Sequence, residues 1–267
     1  MKGLDIRIIP VGPYEKRQSA AYQALCTEYY ELDKPHPPTD ALAYYSNLVK
    51  QAKGPVLEPM CGSGRFLVPL AQTGANVTGF DTSEHMLNLC QLKCQNKKIQ
   101  ADVVLASFAN FRPSAQFKLI YIPSGSFCLL TDPHSIQEGL RSIAACLEKG
   151  GKFVFEVDTI QSMSPTPGIW QGSSVVKLNG QRIVLNTCAQ FNTRTRVSQT
   201  LCRYELWDQN AIVRTEVEEF NVRLYELSEI EPLLKKHNLA IVKTRAPYTD
   251  QEPDSKSESI LFECVNC

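Results

Sequence analysis

Between residues 55 and 158 short apolar runs alternate with helical patterns, and this alternation limits the fold more than any other feature of the chain. "PVLEP", "NVTGFD", "ADVVLAS", "FKLIYIP" and "KFVFEVD" are short and almost continuously apolar. Such runs between helices fit strands covered on both faces, as in a parallel sheet with crossover helices. The segments between them carry helix signals. "RFLVPLAQTG" closes on Gly74, with Pro69 early enough to bend it, and "TSEHMLNLCQLKCQN" opens on Thr82 and Ser83. "TDPHSIQEGLRSIAACLEKGG" has Asp132 as cap, Pro133 in its first turn and Gly150-Gly151 as its expected stop.

After Asp158 the period changes. "SSVVKLNGQRIVLNTCAQF" reads as two strands around Asn179-Gly180, a strong hairpin signal. "RVSQTLCRYELWDQNAIVRTEVEEFNVRLY" repeats the design across Asp208-Gln209-Asn210, so four alternating strands form an antiparallel meander. A helix at "LSEIEPLLKKHN" follows, and the strands "AIVKTRA" and "SILFECV" can rejoin the main sheet as an antiparallel pair. The expected fold is α/β: a doubly wound sheet of seven strands with an antiparallel β-meander insertion. Four segments result: a helical start at 1–54 broken by "DKPHPPTD", an α/β core at 55–160, the insertion at 161–225, and the last helix and closing strands at 226–267.

Bulk composition removes several function classes. In 267 residues, hydrophobic positions are 43% and charged ones 21%, enough apolar material for a large core. Lys plus Arg and Asp plus Glu are 28 each, and that balance weighs against a nucleic-acid binder. No apolar segment has the roughly 20 residues of a membrane span. The start "MKGLDIRIIPVGPYEKR" lacks a signal-peptide core, so a cytoplasmic protein is expected. Most of the ten cysteines sit in apolar periodic segments and read as buried small hydrophobes. The closing "CVNC" lacks a second pair at zinc spacing, and no metal site is expected.

The stretch "VLEPMCGSGRF" then acquires a location. It ends the first core strand, on the side where open parallel sheets bind ligands. Gly62 and Gly64 let the main chain approach a ligand without a Cβ in the way. Asp81 ends "VTGFD" 23 residues after Glu58 and can accept both hydroxyls of a ribose. A dinucleotide fingerprint requires a third glycine where this chain has Leu67, which argues against an NAD-type site.

With "VLEPMCGSGRF", "VTGFDTSEHML", "ADVVLASFANF", "FKLIYIPSGSF" and "LEKGGKFVFEV" in this order, the chain resembles the class I S-adenosylmethionine-dependent methyltransferases over roughly residues 20 to 265. That family has a Rossmann-like fold. The meander before the last helix is similar in layout to small-molecule members such as sugar N,N-dimethyltransferases. The resemblance implies S-adenosylmethionine as cofactor, with Glu58 toward its methionine ammonium and Cys61, Gly62 and Gly64 beneath the methionine part. It puts Asp81 on the ribose, Thr82 and Met86 beside the adenine, Ser107 and Phe108 at the adenine edge, and Ile122, Pro123 and Ser124 by the sulfonium. N-terminal helices form a lid in the family, so Tyr29 or Tyr30 would cover the cofactor and Arg65 would reach its carboxylate. Two positions depart from the pattern: Met60 replaces the first turn glycine, and Ser107 stands where an acidic residue often meets the adenine amino group.

Methyl transfer needs alignment, water exclusion and, for some acceptors, removal of a proton. Ser124, Ser126 and His36 are the candidates for catalytic contact. Phe127, Trp170, Arg203 and Tyr248 are candidates for the acceptor side, although strand alternation puts Arg203 and Tyr204 on opposite faces. The expected function is methyl transfer to an oxygen or nitrogen of a small molecule, with a homodimer through the insertion as a further expectation. The alternatives are a cofactor-binding sensor or subunit without turnover, and a nucleic-acid methyltransferase.

Overall fold

The computed structural model describes residues 21–267; the part of the expected helical start before residue 21 lies outside the described residues. In chain order the elements are α1 (Ala24–Asp33), α2 (Thr39–Ala52), β1 (Val56–Pro59), α3 (Leu67–Ala71), β2 (Val77–Asp81), α4 (Glu84–Asn96), β3 (Asp102–Leu105), β4 (Phe117–Ile122), α5 (Pro133–Cys146) and β5 (Leu147–Asp158). The insertion holds β6 (Gln171–Val176), β7 (Arg182–Asn192), β8 (Val197–Asp208) and β9 (Ala211–Arg223). The chain closes with α6 (Leu227–Lys235), β10 (Leu239–Arg245) and β11 (Ser259–Asn266).

The main sheet has seven strands in the order β10-β11-β5-β4-β1-β2-β3. Its strands β1 to β5 pair in parallel, and β11 runs antiparallel between β5 and β10. Both faces are covered, as the apolar runs require. One face packs against α5 and α6 through Ile136, Leu140, Ile143, Ile230 and Leu234. The other packs against α2, α3 and α4 through Tyr45, Leu48, Leu70, Leu87 and Cys90. The strand order reverses between β1 and β4, and the chain leaving β1 opens the crevice where ligands bind in such sheets.

Two boundaries differ from expectation. α5 ends at Cys146, and "LEKGG" runs as the start of β5 with a register shift against β4. Leu147 is fully buried in extended backbone and Gly150 has φ +73°, so burial of the strand edge prevails over the helix-stop signal. α3 is only five residues long, because the turn from Cys61 to Phe66 takes up the first part of the expected helix.

The meander folds as a separate four-stranded antiparallel sheet, β6-β7-β8-β9. α1 lies on its inner face: Leu25, Cys26 and Tyr29 pack with Ile183, Cys202 and Tyr204. Strand carboxylates finish the helix start. Glu218 accepts the backbone N–H groups of Tyr22 at 2.8 Å and Gln23 at 2.7 Å, and Glu216 accepts that of Leu25 at 2.7 Å. These amides have no intrahelical partner, so carboxylates there complement both hydrogen bonding and the helix dipole. α1 therefore belongs with the insertion and α2 with the core sheet.

Candidate functional site

Three residues in the turn after β1 have left-handed backbone: Met60 at φ +58°, Gly62 at +54° and Gly64 at +74°. The two glycines serve different purposes. A Cβ on Gly64 would lie 2.5 Å from Cys90 Sγ and 2.9 Å from Val68 Cγ2, so Gly64 lets the turn pack on α4. A Cβ on Gly62 would meet nothing within 4 Å among the described residues. Met60 adopts the left-handed conformation despite its Cβ, a cost of about 1–2 kcal/mol.

The turn is tied to β2 through Asp81. Its Oδ2 accepts the N–H of Gly62 at 2.9 Å and its Oδ1 accepts that of Ser83 at 2.8 Å. Burial raises the Asp81 pKa, while these backbone bonds oppose the shift. The carboxylate keeps acceptor capacity for a further donor. Glu58, 2% exposed at the end of β1, accepts the Tyr121 hydroxyl at 2.5 Å. Burial pushes its pKa well above the carboxylate range, with Tyr121 and Arg65 acting the other way.

Across the turn, the Arg65 guanidinium lies over the Tyr30 ring at 5.5 Å and the Phe66 ring at 5.3 Å. It donates to Ser124 Oγ at 2.8 Å, and its buried Nε has no partner among the described residues. Ser124 is left-handed at φ +56° after β4, and its N–H donates to Glu156 Oε1 at 3.0 Å. The same oxygen accepts the hydroxyls of Tyr45, at 2.7 Å, and Tyr248. Glu156 thus fixes the turn that carries Ser124.

These elements enclose a cavity of about 790 Å³. Its wall brings together Glu58, Cys61, Gly62, Arg65, Asp81, Thr82, Met86, Ser107, Phe108, Pro123, Tyr30, Ser124 and Ser126 from the expected set. Other expected positions stand outside it. Gly64 and Ile122 support the wall from within the core, and Phe127 is buried against Phe155 at 4.9 Å. Tyr29 turns to the meander, with its hydroxyl 2.8 Å from Ser173 Oγ. His36 is exposed between α1 and α2. Trp170 is 51% exposed with Arg203 over its ring, on the meander face opposite α1, whereas Tyr204 faces α1. Tyr248 reaches the site only through Glu156.

The wall also includes residues that sequence reasoning missed: Ser83, Leu130 and Glu138, and Glu219 to Asn221 on β9. Alternation in β9 was legible, but nothing local showed which stretch of that edge strand would border the cavity. α1 closes one side through Glu31, which accepts Ser63 Oγ at 3.0 Å and pairs with Lys93 at 2.6 Å.

Three features fit an adenosyl cofactor with an amino-acid tail. They are the spare acceptor capacity of Asp81, the Arg65 Nε that no described residue partners, and the Gly62 cradle, where a Cβ would meet no described atom within 4 Å. Comparison with known proteins agrees. Residues 56–151 match a family model described as a methyltransferase domain. The putative methyltransferase YqeM of Bacillus subtilis (strain 168) is 24% identical over 245 residues, covering 90% of this chain and 95% of that protein. Two solved structures share the fold at 17% identity and TM-score 0.74. One is an S-adenosylmethionine-dependent methyltransferase from Clostridium acetobutylicum, covering 89% of this chain and 96% of that one; the other is the sugar N-methyltransferase KedS8 from Streptoalloteichus, at 97% and 98%. Residues 56–151 thus carry a methyltransferase domain, and the chain has the fold of class I S-adenosylmethionine-dependent methyltransferases. No described helix is long and apolar enough to cross a membrane.

Proposed function

We propose that the enzyme methylates an oxygen or nitrogen of a small molecule, with the acceptor seated between the turn after β4 and the edge of the meander. One observation carries this reading: a single cavity runs from Glu58 and Asp81 past Ser124 and Ser126 to Phe220 on β9. The name of KedS8, a sugar N-methyltransferase of the same layout, supports a small acceptor. The zero net charge weighs against nucleic acid.

In this reading Glu58 faces the cofactor's ammonium and Arg65 its carboxylate. Asp81 takes the ribose hydroxyls; Thr82, Met86 and Phe108 flank the adenine; and Cys61, Gly62 and Pro123 line the methionine path. The cofactor supplies a methyl group on a sulfonium, with its leaving group built in. The chain supplies alignment and dryness. Tyr22, Tyr30 and Phe220 cover the cavity, and Arg65, held by two rings and Ser124, orders the turn beside the acceptor. The reading carries a cytoplasmic location, which the ten free cysteines support. It also pairs two copies through the outer meander face, where Val176, Leu201 and Val217 are exposed. A monomer by sedimentation would contradict that last part.

The test is transfer of a labelled methyl group to panels of small amines and alcohols and to RNA and DNA. Label on a small molecule, absent with Asp81→Ala, is expected. Label on nucleic acid alone, or cofactor binding with no transfer to any panel, would overturn the reading.

A further inference from the structure

We propose that Glu138 of α5 accepts the adenine amino group of the cofactor, in place of the residue after β3 that the chain does not use for it. The inference rests on the cofactor reading above and concerns which element recognises the base.

Ser107, in the loop after β3, is committed to its own turn. Its hydroxyl donates to Asn110 Oδ1 at 3.3 Å and accepts the N–H of Ala109 at 3.2 Å. Its N–H donates to the same Asn110 oxygen at 2.6 Å, and its carbonyl accepts the N–H groups of Asn110 and Phe111. A ligand donor arriving there would compete with bonds that hold the turn.

Glu138 stands beside that turn and is free. It is half-buried in the cavity wall and has no hydrogen-bond or ion-pair partner among the described residues. Its position follows from the packing of α5. A Cβ on the next residue, Gly139, would lie 2.8 Å from Leu130 Cδ1 and 3.6 Å from the Phe108 ring, so the helix approaches that loop closely. Ser135 and Glu138, three residues apart, share the helix face that borders the cavity. A carboxylate accepts a hydrogen bond from an amino group and repels a carbonyl oxygen in the same position. Glu138 would therefore distinguish adenine from a 6-oxopurine. Glu84, another carboxylate in the wall, opens α4 and is exposed.

The test is calorimetric titration with S-adenosylhomocysteine and S-inosylhomocysteine, whose base has a 6-oxo group. Wild type is expected to prefer the adenosyl ligand by about tenfold or more, since a charged acceptor without its donor loses a strong hydrogen bond. Glu138→Ala should bring the two affinities close together. Glu138→Gln, which can donate an amide N–H to the 6-oxo group, should recover part of the affinity for the inosyl ligand. Glu84→Ala should keep the wild-type preference, and thermal melts of all variants check that they are folded. Wild-type preference retained in both Glu138 variants, or lost in Glu84→Ala, would overturn the assignment. Wild type binding neither ligand would remove the cofactor reading itself, and the assignment with it.

Discussion

At the scale of single residues, Gly62 and Gly64 separate stability from ligand binding. Both are left-handed, but only at Gly64 would a methyl group collide with neighbours. Gly64→Ala should cost about 2–3 kcal/mol of unfolding free energy, from strain plus overpacking against Cys90. Gly62→Ala should cost about 1 kcal/mol in stability but lower cofactor affinity by more, because its methyl projects into the cradle. Denaturant melts and titrations on the two variants should thus rank in opposite orders. The buried carboxylates make a pH prediction. Burial, then Glu156 and Glu258, push the Asp158 pKa from 3.8 up to about 6. Between those values the folded state binds more protons than the unfolded state, so this group makes stability fall as pH rises. Asp158→Asn should flatten that fall and leave the variant more stable than wild type above pH 6. An unchanged stability profile would contradict it.

The elements themselves were largely legible in the sequence. The strand order along the chain, the hairpins at Asn179-Gly180 and Gln209-Asn210, and the capping of α5 by Asp132 follow from local signals. What escaped depends on contacts distant in sequence. Nothing in "ALCTEYYELD" indicates that the amides of Leu25 and of the two residues before the helix, Tyr22 and Gln23, would meet carboxylates nearly 200 residues away. Glu156 lies in an apolar run, and its three donors come from α2, the turn after β4 and the segment after β10. The placement of Arg203 outside the cavity escaped for a related reason: alternation separates the two faces of β8 without saying which one meets α1. At this scale, Glu218→Ala should free the amides of Tyr22 and Gln23. Hydrogen exchange should speed up at the start of α1, with a stability loss of about 1–2 kcal/mol. Exchange as slow as in wild type would mean that α1 is held by its apolar face alone.

For the whole molecule, the site exists only where three parts meet. The core sheet brings Glu58 and Asp81, α1 covers them, and β9 closes the far end of the cavity. The first was readable from "VLEPMCGSGRF" and "VTGFD"; the assembly of the other two was not, since it rests on tertiary packing of α1 against the meander. Because ligand bridges these parts only in the folded state, the product cofactor should raise the melting temperature. At a free concentration 100-fold above Kd the stabilisation is about 2.7 kcal/mol. The central claim is that Asp81 and the turn it holds form the cofactor site, and calorimetric titration of wild type and Asp81→Ala with S-adenosylhomocysteine tests it most directly. Micromolar binding by wild type, roughly 8 kcal/mol, that is lost in the folded variant is the predicted result. Equal binding by both proteins, or none by a folded wild type, would contradict it.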